Sequence, residues 1–144
     1  MKLAILCAVL TLIAHGGSCN SAGTNSKSAP PHRDEALATG IWGGQHIQAE
    51  VTNRGAEIEF DCAHGSIPQQ ISLDNSGQFD ANGTYSPEHA GPIRDDENSS
   101  RPVRYKGNVK ENSMSLTIAD ARTKEIVGTF TLTLGNDGRI MKCR

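Results

Sequence analysis

The sequence predicts an all-β protein: a small eight-stranded antiparallel up-and-down β-barrel at residues 40–144, preceded by a signal peptide at 1–18 and a flexible tether at 19–39. Three observations carry this expectation. Apolar and polar residues alternate with period two in run after run beyond residue 45, the mark of strands with one buried face. Short polar turns separate the runs, at TNRG (52–55), DNSG (74–77), KENS (110–113) and GNDG (135–138), and their Gly and Asn residues tolerate the positive φ that hairpins need. Nowhere in the core does a helical period displace the alternation.

The chain begins MKLAILCAVLTLIAHGGSCN. A single charge at Lys2 and the apolar run from Leu3 to Ala14 have the layout of a bacterial secretory signal, and the run is shorter than the roughly 20 residues needed to span a bilayer. Two cleavage readings stand side by side. Cleavage at Ala14-His15-Gly16 would release a soluble secreted protein. Alternatively, GGSC followed by NSAGTNSKSAPP resembles the lipobox and tether of bacterial lipoproteins, which implies lipidation of Cys19 and a cell-envelope location, with the lipid as the protein's only hold on the membrane. Residues 20–33 are nearly devoid of apolar side chains and cannot offset the entropy of folding. RDEALAT (33–39) is expected to make one helical turn before the core.

The chain holds four cysteines. Cys7 leaves with the signal, and lipidation of Cys19 would leave Cys62 and Cys143 as one pair, as an oxidising compartment favours. A bridge between them would close a loop of about 80 residues and stabilise by about 4 kcal/mol. A nucleophilic Cys62 is disfavoured by Asp61, whose charge opposes thiolate formation. A zinc site built from Cys62, His64 and Cys143 lacks the usual CxxC or HxxxH spacing.

Eight strands follow from the alternation. The first contains HIQAEVT, with Ile47, Ala49 and Val51 on its apolar face. The second is AEIEFDCAH, with Ala56, Ile58, Phe60, Cys62 and His64 on one face. The third carries Ile67, Ile71 and Leu73; the fourth Phe79, Ala81 and Tyr85; the fifth Val103, Tyr105 and Val109. The sixth carries Met114, Leu116 and Ile118, the seventh Ile126, Phe130, Leu132 and Leu134, and the eighth Ile140 in RIMKC. A closed barrel removes both exposed edges, and eight strands leave an interior that side chains fill or that holds one small ligand.

TGIWGGQHIQAEV, with Gly40 and Trp42, resembles the Gly-x-Trp first strand of lipocalin-like and avidin-like barrels, which are calycin-like folds that commonly bind small ligands. The resemblance implies that Trp42 packs at one barrel end. A β-bulge at Gly43-Gly44 is expected to turn Trp42 onto the apolar face of the first strand. Phe60, Cys62 and Gly65 resemble the aromatic-x-Cys-x-x-Gly signature of membrane-bound lysozyme-inhibitor lipoproteins, small barrels tied by a disulfide to a C-terminal cysteine, here Cys143. That likeness implies a host or competitor hydrolase as partner.

An up-and-down order separates a rim of tight turns from a rim of longer connections, HAGPIRDDENSSRP and DARTKE among them. It places Trp42, His64, Tyr85, His89, Arg104, Tyr105, Asp120 and the two bridging cysteines at the second rim. These residues form the candidate binding site, for a small apolar or amphipathic ligand or for an envelope or extracellular protein. His64 and His89 are also weak metal or hydrolytic candidates, since an imidazole facing a barrel mouth can coordinate or donate. No catalytic residue stands out, because Ser66 and Ser86 lack a nucleophile-elbow context and Glu88 and His89 point to opposite strand faces. RDDEN (94–98) reads as a solvated loop tip. No cofactor is expected. The formal charge of −2 becomes −3 when Lys2 is lost, with no basic stripe, so nucleic acid is not an expected partner.

Overall fold

Alternation sets the architecture strand by strand in the computed structural model, which describes residues 35–88 and 100–143. The signal peptide, Cys19, the tether to residue 34, His89 and the RDDEN segment lie outside the described residues. The strands are β1 (Glu35–Ala36), β2 (Gly40–Gly44), β3 (Ile47–Thr52), β4 (Gly55–Phe60), β5 (Ala63–Ile67), β6 (Ser72–Leu73), β7 (Gln78–Pro87), β8 (Arg101–Lys110), β9 (Ser113–Asp120) and β10 (Ile126–Leu134). Eight of them close into an antiparallel barrel in the order β2-β3-β4-β5-β7-β8-β9-β10, with β10 pairing back onto β2, while β1 and β6 form a separate two-stranded ribbon. The protein is thus an all-β, eight-stranded barrel, and the described residues contain no helix.

Four of the expected strands are corrected. The first is a hairpin instead of a bulged strand: the chain reverses at Gln45-His46, where His46 adopts φ 65°, and Trp42 pairs with Ala49. Reversal, not a bulge, brings Trp42 to the inner face. The second expected strand splits at Asp61-Cys62 into β4 and β5, pairing Phe60 with Ala63. The third dissolves. Ile67 ends β5, Ile71 is buried in a connection, and Ser72–Leu73 pairs with Glu35–Ala36 outside the barrel. The eighth is no strand at all, since the segment around Ile140 makes only one parallel bridge, Gln45 to Arg139. Two splits offset two losses, which preserves the count of eight.

The described part of RDEALAT, residues 35–39, is not helical. Its residues find partners on a neighbouring segment: Glu35 and Ala36 pair with Leu73 and Ser72, and the Leu37 N–H donates to the Ile71 carbonyl at 2.9 Å. These contacts outweigh the weak preference of an isolated short helix. Packing therefore takes in Leu37, which is buried ahead of the Gly40 boundary suggested by composition.

The interior is filled with side chains. Trp42, Ile47, Ile58, Val103, Tyr105, Leu116, Ile118 and Leu132 are essentially inaccessible. The Tyr105 ring is the largest body at mid-barrel, and glycines make room for it. A Cβ on Gly65 would come within 2.1 Å of the Tyr105 hydroxyl, and one on Gly83 within 2.7 Å of its ring. Pairing small residues with large ones fits side chains into a narrow barrel. The Tyr105 hydroxyl donates to the Thr84 carbonyl at 2.6 Å, which offsets the cost of burying it.

The two rims differ. One rim carries the Gln45-His46, Asp61-Cys62 and 121–125 turns and the β7–β8 connection. The other carries the β3–β4 and β8–β9 turns and is plugged by Leu37, Ile71 and Trp42, whose indole N–H donates to the Ala38 carbonyl at 2.9 Å. From the plugged rim the C-terminal segment climbs back along the outside of the β2–β3 hairpin. It passes over Gly43, where a Cβ would lie 2.3 Å from the Asn136 carbonyl oxygen. Its Gly138 N–H donates to Gln48 Oε1 at 2.9 Å, and its Arg139 N–H to the Gly44 carbonyl at 2.9 Å. It ends at the first rim, where Cys143 is bridged to Cys62 with 5.2 Å between their Cα atoms.

The bridge spans a sequence separation of 81, so the double variant C62S/C143S should lose about 4 kcal/mol of unfolding free energy. Urea denaturation of the oxidised protein and the double variant measures it. A difference within error would show that the tail's hydrogen bonds alone hold the closed form.

Candidate functional site

The disulfide rim gathers an aromatic mouth. Phe60 and Phe130 point inward from β4 and β10, and Tyr85 from β7. The rings of Phe60 and Tyr85 lie 5.4 Å apart, tilted by 56°, and those of Phe60 and Phe130 lie 5.4 Å apart, tilted by 45°. Phe60 is buried, while Tyr85 and Phe130 stay partly accessible. Such tilted pairs are favourable beyond the area they bury. The guanidinium carbon of Arg101 sits 5.4 Å from the centre of the Tyr85 ring, in cation–π range.

Asp120 completes the mouth. Its Oδ1 accepts the N–H groups of Arg122 and Thr123, each at 2.9 Å, shaping the turn that follows β9, and its Oδ2 lies 3.8 Å from Arg101 Nη1. The Thr123 and Arg122 amides hold the Asp120 carboxyl below the usual aspartate value. Tyr85, Arg101 and Asp120, with Glu125, Ile126 and Val127, line a 320 Å³ depression. Ile126 is 65% exposed beside it.

A second group clasps the turn between β4 and β5. Asp61 accepts the Met141 N–H on Oδ1 at 2.8 Å, and its Oδ2 lies 2.5 Å from His46 Nδ1. Its backbone carbonyl accepts the Cys143 N–H at 3.1 Å. The Met141 amide, followed by His46, lowers the Asp61 pKa. Nearby, His64 Nδ1 lies 2.9 Å from Glu88 Oε1, and Lys142 sits 3.5 Å from Glu88 and 3.6 Å from Glu59. The hydrogen bond from His64 and the charge of Lys142 lower the Glu88 pKa. Met141, 68% exposed, stands on this clasp.

The sequence-derived candidates therefore divide. Tyr85 and Asp120 meet at the mouth. His64 stands at the same rim but on the outer wall, because the reversal at Asp61-Cys62 inverts its parity; it is exposed and paired with Glu88. Trp42 belongs to the opposite rim as a plug. Arg104 faces outward from β8 and is held by Asp80 through two contacts of 2.8 Å. Tyr105 is internal, with burial pushing its hydroxyl well above the usual tyrosine range, and it offers nothing to a ligand. His89 lies outside the described residues. Arg101, Phe130 and Ile126 were not singled out from the sequence, although Arg101 shares the inward parity of Val103 and Tyr105 and begins its strand at a rim.

The described residues of the rim offer contact groups of several kinds. The His64 ring is paired with Glu88, and among the described residues no three of His, Cys, Asp and Glu converge as a metal site. The mouth instead combines aromatic surface, one guanidinium and an apolar side chain, framed by hydrogen-bonded turns.

Asp61 and Glu88 have lowered pKa values in the folded state, so each contributes stability that is present above its ordinary value, 3.8 or 4.5, and is lost as pH falls through the folded value. Thermal stability should be level above about pH 5 and decline on acidification. D61N should make that decline shallower without abolishing it, since Asp74, Asp80 and Asp120 are lowered too. Melting curves between pH 2 and 6 test this, and an unchanged acid limb in D61N would remove Asp61 from the clasp.

Comparison of the chain with protein families, with curated proteins and with solved structures finds no match in any of the three.

Proposed function

We propose that the protein is a non-enzymatic binding module of the bacterial cell envelope that presents its disulfide rim to a protein partner. The observation that carries this reading is the mouth itself. Tyr85, Phe130, Arg101 and Ile126 are left partly or wholly accessible around an otherwise filled barrel. Tyrosine and arginine on a rigid support are the residues that most often anchor protein interfaces, and turns fixed by Asp61, Asp120 and the disulfide reduce the ordering cost of binding. The filled interior supports a partner at the surface over an apolar small molecule inside the barrel.

The anchor reading fits the same polarity. The described chain begins at the plugged rim, so a tether from a lipidated Cys19 would enter opposite the mouth. Its 16 residues to Glu35 would reach at most about 55 Å when extended, enough to hold the mouth away from a membrane surface.

A hydrolase partner is the second reading. The pairing of Cys62 with Cys143 is what the resemblance of Phe60, Cys62 and Gly65 to lysozyme-inhibitor lipoproteins implies, and the bridge lies at the proposed rim. A metal or hydrolytic site at His64 and His89 draws no support from the described residues, in which His64 is committed to Glu88 on the outer wall.

A photo-crosslinking residue at Ile126, in cells producing the full chain, should yield a discrete protein adduct, and R101A should reduce it about tenfold. The same probe at Glu50, exposed on the side wall, should yield none. Equal labelling from both positions would overturn the rim assignment. For the second reading, the purified mature protein should inhibit lysozyme at micromolar concentration, and no inhibition there would remove it.

A further inference from the structure

Next to the DNSG turn of the plugged rim, the outer wall of β7, β8 and β9 carries a depression of 600 Å³, larger than the 320 Å³ hollow at the mouth. Cross-strand register lays its side chains out in two rows. Gln78, Asn108 and Ser115 form one, and Asp80, Lys106 and Thr117 the other. The segment Ser72 to Asp74 stands along one side as a wall. Serine and threonine on a solvated strand face are ordinary. A walled concavity lined by carboxylate, amide, ammonium and hydroxyl groups together is not accounted for by strand propensity alone.

We propose that this groove binds an extended glycan strand, whose hydroxyl and amide groups hydrogen-bond to the two rows. Its central carboxylate is already paired within the wall, while Asp74 at the side is held by the Ser76 and Gln78 donors. Asp80 is paired with Arg104 at 2.8 Å and with Lys106 at 3.7 Å, so a strongly ionic ligand would have to break existing pairs. A neutral ligand rich in both donors and acceptors can instead use the lone pairs and N–H groups that the pairs leave over.

Some of the polar groups are also held in place before any ligand arrives. The Gln78 amide donates to Ser76 Oγ at 2.7 Å. Asp74 Oδ1 accepts from the Ser76 hydroxyl at 2.7 Å and from the Ser76 and Gln78 N–H groups at 2.8 and 2.9 Å. The Thr117 and Thr129 hydroxyls lie 3.4 Å apart. Groups fixed in this way lose little side-chain entropy on binding.

Spacing fits a sugar chain. Neighbouring strands place successive groups of one row about 4.8 Å apart, close to the length of a pyranose unit, and the two rows lie about 6.6 Å apart along the strands.

The test is a ¹⁵N-HSQC titration of the mature protein with millimolar chitooligosaccharide, cellooligosaccharide or soluble peptidoglycan glycan fragments, the responding ligand naming the source. Amides of Gln78, Gly107, Asn108 and Thr117 should shift with at least one of them. N108A and K106A should each weaken binding at least fivefold, while Y85A at the mouth should leave it unchanged. Absence of shifts with all three glycans, shifts confined to the disulfide rim, or binding that N108A and K106A leave intact would each overturn the proposal.

Discussion

The seam between the first and last barrel strands is the constraint on which the structure depends. An open eight-stranded sheet would expose two edges, and here closure rests on three residue pairs, Leu132 with Gly44, Thr133 with Gly43 and Leu134 with Trp42. By comparison, β7 and β8 pair over eight positions. The C-terminal segment reinforces this short seam. It bonds to Ile41 through Gly135 and to Gly44 and His46 through Arg139, then locks onto the neighbouring turn through Asp61 and the disulfide. Gly43 lets the tail lie flush against the wall, and Trp42 fills the interior behind the same stretch. One short strand thus joins closure, plug and staple.

Closure with a filled interior leaves the rims and the outer wall as the places where the proposed binding would occur. Tyr105 takes the mid-barrel space released by Gly65 and Gly83, so among the described residues side chains occupy the middle of the cylinder. The rims then diverge in character. Where the described chain begins, Leu37, Ile71 and Trp42 seal one end. At the other, Phe60 is covered but Tyr85 and Phe130 are not, and Arg101 rests on the exposed side of Tyr85. Accessible aromatic surface is thereby concentrated at the rim remote from the point of entry, which makes that rim the natural place for contact with another molecule.

Much of this was legible in the sequence, and what was not has a definite cause. Period two in 114–118 and 103–109 and the turns TNRG, DNSG and KENS fixed strand existence and one whole rim, because Gly and Asn at hairpin positions have a backbone meaning independent of context. The reversals at Gln45-His46 and Asp61-Cys62 carry no such residues, so the runs through them looked continuous. A parity change did mark both. Trp42 and Ile47 occupy the same inner face at positions of opposite parity, as do Phe60 and Ala63, and a two-residue turn is one way to produce that inversion. Reading Cys62 and His64 as continuing the face of Phe60 put His64 inside, and the actual turn put it outside with Glu88. The tail had no periodic signal at all, since it is held by single hydrogen bonds and a disulfide.

Electrostatics points the same way as packing. Asp61, Asp80, Glu88 and Asp120 each stand beside a basic side chain from another part of the fold. Opposite charges are thus paired locally at these four carboxylates. Exposed pairs of this kind add little stability each. What they do here is fix turns and strand faces, holding side chains in place around the mouth and along the outer groove. The binding proposed at either place would draw on shape and short-range contact, which a rigid, closed, side-chain-filled barrel is well suited to supply.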